Sequence, residues 1–296
     1  MNWSGYMVDY ILGNYLVEAG KISKEQLADV LQEQDSVRVK LGLIAVAEGM
    51  MTQEEADEVN HLQSVMDKRY GDIAVEKGYL TDDQVSMLLK KQGNVYLMFV
   101  QTLMDKQLVT MDEWECILSD FKRKNGLGNT ELEDLKSDEP ERIIPLLLPA
   151  EAASYQGIIG TMVRTMIRLI DRHIYVGHAV MLDDFPAEDL VKQCLVGTDG
   201  IMGCLSERDG GLLHVCSVFG REEFEKLDMD ALDAAGELLN CVNGLYASNM
   251  SREGKQLELT PPEYTAGADN VKKESICRIP IFVGNKGLYF VIGELA

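Results

Sequence analysis

The sequence is poor in basic residues for its acidity: 28 Lys and Arg stand against 49 Asp and Glu, a formal net charge of −21. A surface of that sign repels phosphate backbones and anionic lipid, so neither nucleic acid nor a membrane surface is an expected partner. Long apolar runs are missing too. Stretches such as Ile143 to Leu148 fall far short of the roughly 20 residues that a spanning helix needs, and no basic flank precedes a signal-like apolar region. A cytoplasmic protein is predicted. The cysteines (Cys116, Cys194, Cys204, Cys216, Cys241, Cys277) include no C-x-x-C pair, and His61, His173, His178 and His214 show no metal-ligand spacing. Packed thiols and no resident metal are the expectation.

What is present is the balance of a folded chain, 46% hydrophobic and 26% charged over 296 residues, long enough for two cores. The first half repeats at a shift of 29 residues, in four copies. Leu12-Gly13 to Gln34 is followed by Leu41-Gly42 to Gln63, by Tyr70-Gly71 to Gln92, and by Leu97 to Phe121, where Val100 and Gln107 replace the glycines. Terminal copies of a repeat are often atypical. Each unit reads as a short helix, a turn at Gly20, Gly49 or Gly78, and a second helix opened by Ser23, Thr52, Thr81 or Thr110. Gln26, Glu55, Gln84 and Glu113 stand three residues later, the reciprocal position of a capping box. Apolar residues follow at helical spacing, as in Leu27, Val30 and Leu31. An all-α array over residues 8–124 is predicted.

The pattern LGxxLVxxGxIxxxxLxxxLxxQ resembles the N-terminal domain of MshE-type and type II secretion ATPases. In that family a pair of such motifs binds cyclic di-GMP, and an Arg just before the Leu-Gly pair contacts it. The matching positions are Ile11, Lys40, Arg69 and Met98, so the resemblance nominates Lys40 and Arg69 as the cations for the phosphates. A purely structural or protein-docking array is the other reading of the same glycines, which serve turns and close packing.

Residues 122–141 are rich in Gly, Asn and charge, which places a linker at 125–150 and a second domain at 151–296. In the latter, 155–170 reads as a helix and 175–181, 193–196, 201–206 and 212–218 as strands, with Asp209-Gly210-Gly211 as a hairpin signal. A helix over 230–249 and strands near 256–259, 275–282 and 287–292 complete an α+β domain with a largely antiparallel sheet. On the second helix Asp233, Glu237 and Asn240 share one narrow face, while Leu232, Ala235, Leu239, Val242 and Tyr246 occupy another. Gly236 costs such a helix about 1 kcal/mol relative to Ala, which points to something approaching its backbone.

The motif Asp-x3-Glu-x2-Asn, followed by Gly244 and by Leu259-Thr260-Pro261-Pro262, resembles the CheC/CheX/FliY chemotaxis phosphatases, and the Thr-Pro-Pro element resembles CheX in particular. The resemblance runs from about Tyr155 onward. CheC and FliY carry a second motif on their first helix; here that helix, GIIGTMVRTMIRLIDRHI, has no Glu-x-x-Asn, which implies one active site per chain. The implied activity is hydrolysis of the phospho-aspartate of a CheY-like receiver. Asn240 would orient the water, Glu237 would pair with the receiver's active-site Lys, and Asp233 would support the contact. An amide suits water positioning because it donates and accepts without ionising. The receiver supplies the Mg2+, so no cofactor is expected in this chain. The resemblance also implies a homodimer through the C-terminal domain. Without it, three polar residues on a helix read as a solvated face, and a non-catalytic module that binds a receiver or a nucleotide is the alternative.

Overall fold

The computed structural model describes residues 7–66 and 68–295. The chain divides into a helical unit, 8–137, and a second unit that comprises residues 138 onward together with Met7.

The helical unit follows the repeat. Its pairs are α1 (Met7–Glu18) with α2 (Lys24–Glu33), α3 (Leu41–Ala47) with α4 (Gln53–Val65), α5 (Tyr70–Glu76) with α6 (Asp82–Lys90), and α7 (Val95–Asp105) with α8 (Met111–Lys124). All four expected capping boxes form: Ser23, Thr52, Thr81 and Thr110 each accept from the backbone N–H three residues on, and Gln26, Glu55, Gln84 and Glu113 accept from the cap's own N–H. Gly20, Gly49 and Gly78 turn the chain at φ of 66°, 66° and 75°, and Gln107 holds the same left-handed turn at 56° in the fourth copy. Non-glycine residues rarely adopt that region, so the degraded copy keeps the geometry at a cost. Gly42 serves another purpose. A Cβ there would lie 2.7 Å from Tyr70 Oη, so the second and third copies pack where only glycine fits.

The expected linker over 125–150 is not one. Residues Asn129–Lys136 form α9, which buries Leu135 and sets the Lys136 ammonium over the Tyr96 ring, and Pro140–Leu147 form α10, which buries Ile143, Ile144 and Leu147. The boundary lies between Ser137 and Asp138. Both helices span about two turns, too short for their apolar stripes to emerge from charged surroundings.

After α11 (Gln156–Leu169), the second unit runs through β1 (Ile174–Val176), β2 (Val180–Gly197), β3 (Ile201–Glu207), α12 (Gly211–Gly220), α13 (Met229–Arg252), β4 (Leu257–Leu259), β5 (Glu263–Val283) and β6 (Lys286–Glu294). The sheet order is β1-β5-β6-β3-β2-β4, antiparallel throughout. Strand β2 also pairs with β5 from Val180 to Lys192, bulging between Leu182 and Asp184 and between Glu188 and Leu190. The ladders β2-β3-β6-β5 thereby close on themselves around Phe185, Leu190, Met202, Cys204, Ile276 and Val291. Strand β2 is one strand, where the sequence pattern suggested two short ones, because its acidic residues at 183, 184, 188 and 189 interrupt the apolar alternation that marks a strand.

Residues 212–218 form a helix and not a strand. Leu212, Val215 and Cys216 are buried at a helical spacing, and the Glu207 carboxylate accepts from the Gly210 and Leu213 N–H groups at 2.5 and 3.2 Å, capping α12. Gly210, at φ 76°, starts that helix and closes no hairpin. Gly211 is required by proximity, since a Cβ would lie 1.9 Å from the Gly287 carbonyl oxygen. The thiols divide: Cys204, Cys216 and Cys277 are buried, whereas Cys116 and Cys241 are exposed.

Candidate functional site

Helix α13 is capped at its start and buried along one face. Asp228 caps it, accepting from Ala231 N–H at 3.2 Å, and Leu232, Ala235, Leu238, Leu239 and Val242 are fully buried. It packs against α11, α12 and strands of the sheet. Burial of these side chains, at roughly 25 cal/mol per Å² of apolar surface, seats the helix so that its polar stripe faces outward. Asp233 and Glu237 are exposed and Asn240 is half-buried, and all three lie on one face as the spacing predicts.

Two of the three are tied to neighbours that sequence reasoning did not single out. Tyr264, at the start of β5, donates its hydroxyl to Asp233 Oδ1 at 3.1 Å. Its ring crosses α13 at Gly236, where a Cβ would lie 2.7 Å from the ring. The close approach that Gly236 foretold is therefore made within the chain, and it locks β5 to the helix. Partial burial raises the Tyr264 pKa first, and the bond to Asp233 and the charges of Asp233 and Glu237 add to it, so this hydroxyl stays a donor at neutral pH.

Asn240 accepts from Gln193 Nε2 at 2.9 Å. Gln193, on β2, is 1% exposed. Its Nε2 also donates to the Thr260 carbonyl at 2.8 Å, and its Oε1 accepts from Asn243 Nδ2 at 2.8 Å. Thr260 is itself anchored to β2: its N–H donates to the Cys194 carbonyl at 2.9 Å, and its Oγ1 accepts from the Cys194 N–H at 3.1 Å. Pro261 and Pro262 follow without backbone donors, and Pro261 biases Thr260 toward the extended conformation. The Thr-Pro-Pro element thus ends a short strand beside Gln193 and offers it a carbonyl. The visible signal for Gln193 was a polar residue on an apolar strand; its reach to α13 was not visible.

In the helical unit, Lys40 and Arg69 both border one groove of about 770 Å³, with Arg38, Asn60, Gln63 and Gln92. Arg38, which the repeat did not nominate, donates to Gln92 Oε1 at 3.0 and 3.2 Å, and Gln92 Nε2 donates to the Val39 carbonyl at 2.8 Å. Lys40 pairs with Asp105 at 2.7 Å, and Asp72 also lines the groove. Three cations against that lining make it a local exception on an acidic chain. Ile11 and Met98, at the matching positions of the outer copies, supply no charge. Among the described residues no group of three or more His, Cys, Asp or Glu side chains could hold a metal, and no helix is long and apolar enough to cross a membrane.

A family model described as Chemotaxis phosphatase CheX matches residues 197–281. The CheY-P phosphatase CheX of Thermotoga maritima is 28% identical over 148 residues, 48% of this chain and 88% of that protein. Among solved structures, the chemotaxis protein CheX from Desulfovibrio desulfuricans is 11% identical at a TM-score of 0.42, over 48% of this chain and 98% of that one. The CheX-CheY-BeF3-Mg complex from Borrelia burgdorferi is 16% identical at a TM-score of 0.37, over 48% of this chain and 97% of that one. The family match lies within the second unit, which is CheX-like, and it contains Asp233, Glu237, Asn240 and Thr260.

Proposed function

We propose, from the CheX-like domain that this chain carries, that it hydrolyses the phospho-aspartate of a CheY-like receiver at the exposed face of α13. The observation that carries this reading is the Asp-x3-Glu-x2-Asn stripe, held on a buried helix inside the segment that matches the CheX family. The 28% identity to a CheY-P phosphatase supports the activity.

The chemistry asked of this chain is small. A receiver's acyl phosphate already sits beside its own Mg2+ and Lys, so acceleration needs a water held in line with the phosphorus. Asn240 meets that need: with one lone pair of Oδ1 occupied by Gln193, its amide retains a second lone pair and two N–H donors. Glu237, exposed one turn earlier, is placed to pair with the receiver's Lys and so to set the register of docking. Asp233, bonded to Tyr264, holds the start of the contact surface. The chain needs no metal of its own for this, and homodimerisation through the second unit accompanies the reading.

Loss of phosphoryl label from Mg2+-loaded receivers tests it. The wild type should accelerate decay, Asn240→Ala should return it to the intrinsic rate, and Glu237→Ala should do so at low receiver concentration. Equal activity of all three proteins would dismiss the α13 face as the site.

The groove in the helical unit supports a second reading, that Arg38, Lys40 and Arg69 hold an anionic dinucleotide. Cyclic di-GMP is the candidate by the repeat's resemblance. A volume of about 770 Å³ is in the range of small-molecule sites, and the cations would meet the phosphates. Calorimetric titration with cyclic di-GMP would show saturable binding, lost in Arg69→Ala; no heat from the wild type would remove this reading.

A further inference from the structure

The hydrogen bonds behind Asn240 determine which end of its amide faces outward. The Thr260 backbone carbonyl is an acceptor and nothing else. The Gln193 atom 2.8 Å from it must therefore be the nitrogen, since an oxygen there would face another lone pair. The same nitrogen lies 2.9 Å from Asn240, so the Asn240 atom that meets it must be Oδ1, and the NH2 group is directed away from Gln193. On the far side, Gln193 Oε1 accepts from Asn243 Nδ2 at 2.8 Å, which orients Asn243 by the same logic. Gln193 and Asn243 are 1% and 0% exposed. A polar chain in an apolar interface is costly to bury, and here it leaves the buried Asn243 Oδ1 without a hydrogen-bond partner. Two apolar side chains could fill the same place without that cost.

We infer that Gln193 is a positioning residue for the reaction proposed above: it fixes the polarity of the Asn240 amide, so that the NH2 group and one lone pair of Oδ1 face the phosphoryl group and its water. The inference rests on that reading of Asn240. It also gives the Thr-Pro-Pro element a role, because Thr260 supplies the carbonyl from which the orientation propagates. Gln193 touches no partner, being enclosed by β2, α13 and the Thr260 segment, so its effect falls on turnover and not on docking.

The test is Gln193→Glu in the full-length chain. A carboxyl group of the same length still accepts from Asn243 but, ionised or protonated, carries at most one O–H and cannot replace an NH2 that donates to both the Thr260 carbonyl and Asn240 Oδ1, so the polarity of the Asn240 amide is no longer fixed. Turnover of a phosphorylated receiver should fall about tenfold to a hundredfold, the cost of a misplaced catalytic group, while affinity for a receiver loaded with Mg2+ and beryllofluoride stays within about twofold. Unchanged turnover in Gln193→Glu, or a loss of affinity with turnover intact, overturns the inference. Gln193→Met, of similar length and without a donor, should give the same pattern if the buried carboxylate prevents folding. The side-chain amide resonances of Asn240 keep the two proposals distinguishable. They should shift in either variant even if no receiver is hydrolysed, and unshifted resonances overturn the positioning role whatever the activity.

Discussion

Asn240 and Glu237 lie one helical turn apart, yet their expected defects differ. In the proposed reaction Asn240 acts on the water, so Asn240→Ala should lower kcat and leave receiver affinity within about twofold. In the same proposal Glu237 acts on the partner, so Glu237→Ala should raise KM and recover much of the rate at high receiver concentration. Steady-state kinetics over a receiver titration separate the two. A different residue carries a pH signature. Burial, with a smaller contribution from Asp57, pushes the Tyr70 hydroxyl from 10.0 up to about 12. The folded value lies above the unfolded one, so neutral Tyr70 contributes stability that is fully present below pH 10 and is lost as pH rises toward 12. Denaturation of the helical unit followed between pH 9 and 11.5 should show that loss, and Tyr70→Phe should remove this component of it.

At the scale of single elements, the repeat was the most legible feature. Capping boxes and left-handed glycines are local chemistry, and local chemistry is written in contiguous residues. Ser23→Ala, Thr52→Ala or Thr81→Ala should each cost about 1 kcal/mol in chemical denaturation. Helix α13 was equally plain, as were its polar stripe and its buried face. What stayed hidden depended on pairing across the chain. The hydroxyl of Tyr264 reaches Asp233, 31 residues away, and Gln193 reaches Asn240, 47 away; no periodicity marks either partner. Helix α12 was misread for a related reason, because Gly210-Gly211 resembles a hairpin turn until Glu207 is seen to cap the N–H groups that follow. The two glycines of α13 make opposite predictions. Gly244 faces open space, so Gly244→Ala should stabilise the second unit by about 1 kcal/mol. Gly236→Ala should instead destabilise it by about 1 kcal/mol, since the added methyl displaces Tyr264 from the helix; urea titrations of the two variants read the difference in sign.

On the scale of the molecule, two cores account for two units. Trp114, Phe99, Leu88 and Ile44 are buried in the helical unit, and Phe290, Ile276, Leu239 and Leu205 in the other. A chain cut to residues 138–296 should therefore keep cooperative thermal unfolding by circular dichroism. The sequence's acidity, −21 overall, concentrates interest on its exceptions, and the groove of Arg38, Lys40 and Arg69 is one. The dinucleotide binding proposed for that groove should weaken with added salt, as phosphate contacts do. The account's central claim, however, concerns the α13 face, where one amide is held outward on a buried helix. Single-turnover hydrolysis of a phosphorylated CheY-like receiver, at saturating concentrations of wild type and of Asn240→Ala, tests that claim most directly. The account predicts rapid loss of phosphoryl group with the wild type and the receiver's intrinsic rate with the variant, both proteins binding the receiver alike. Hydrolysis by Asn240→Ala at the wild-type rate would contradict it.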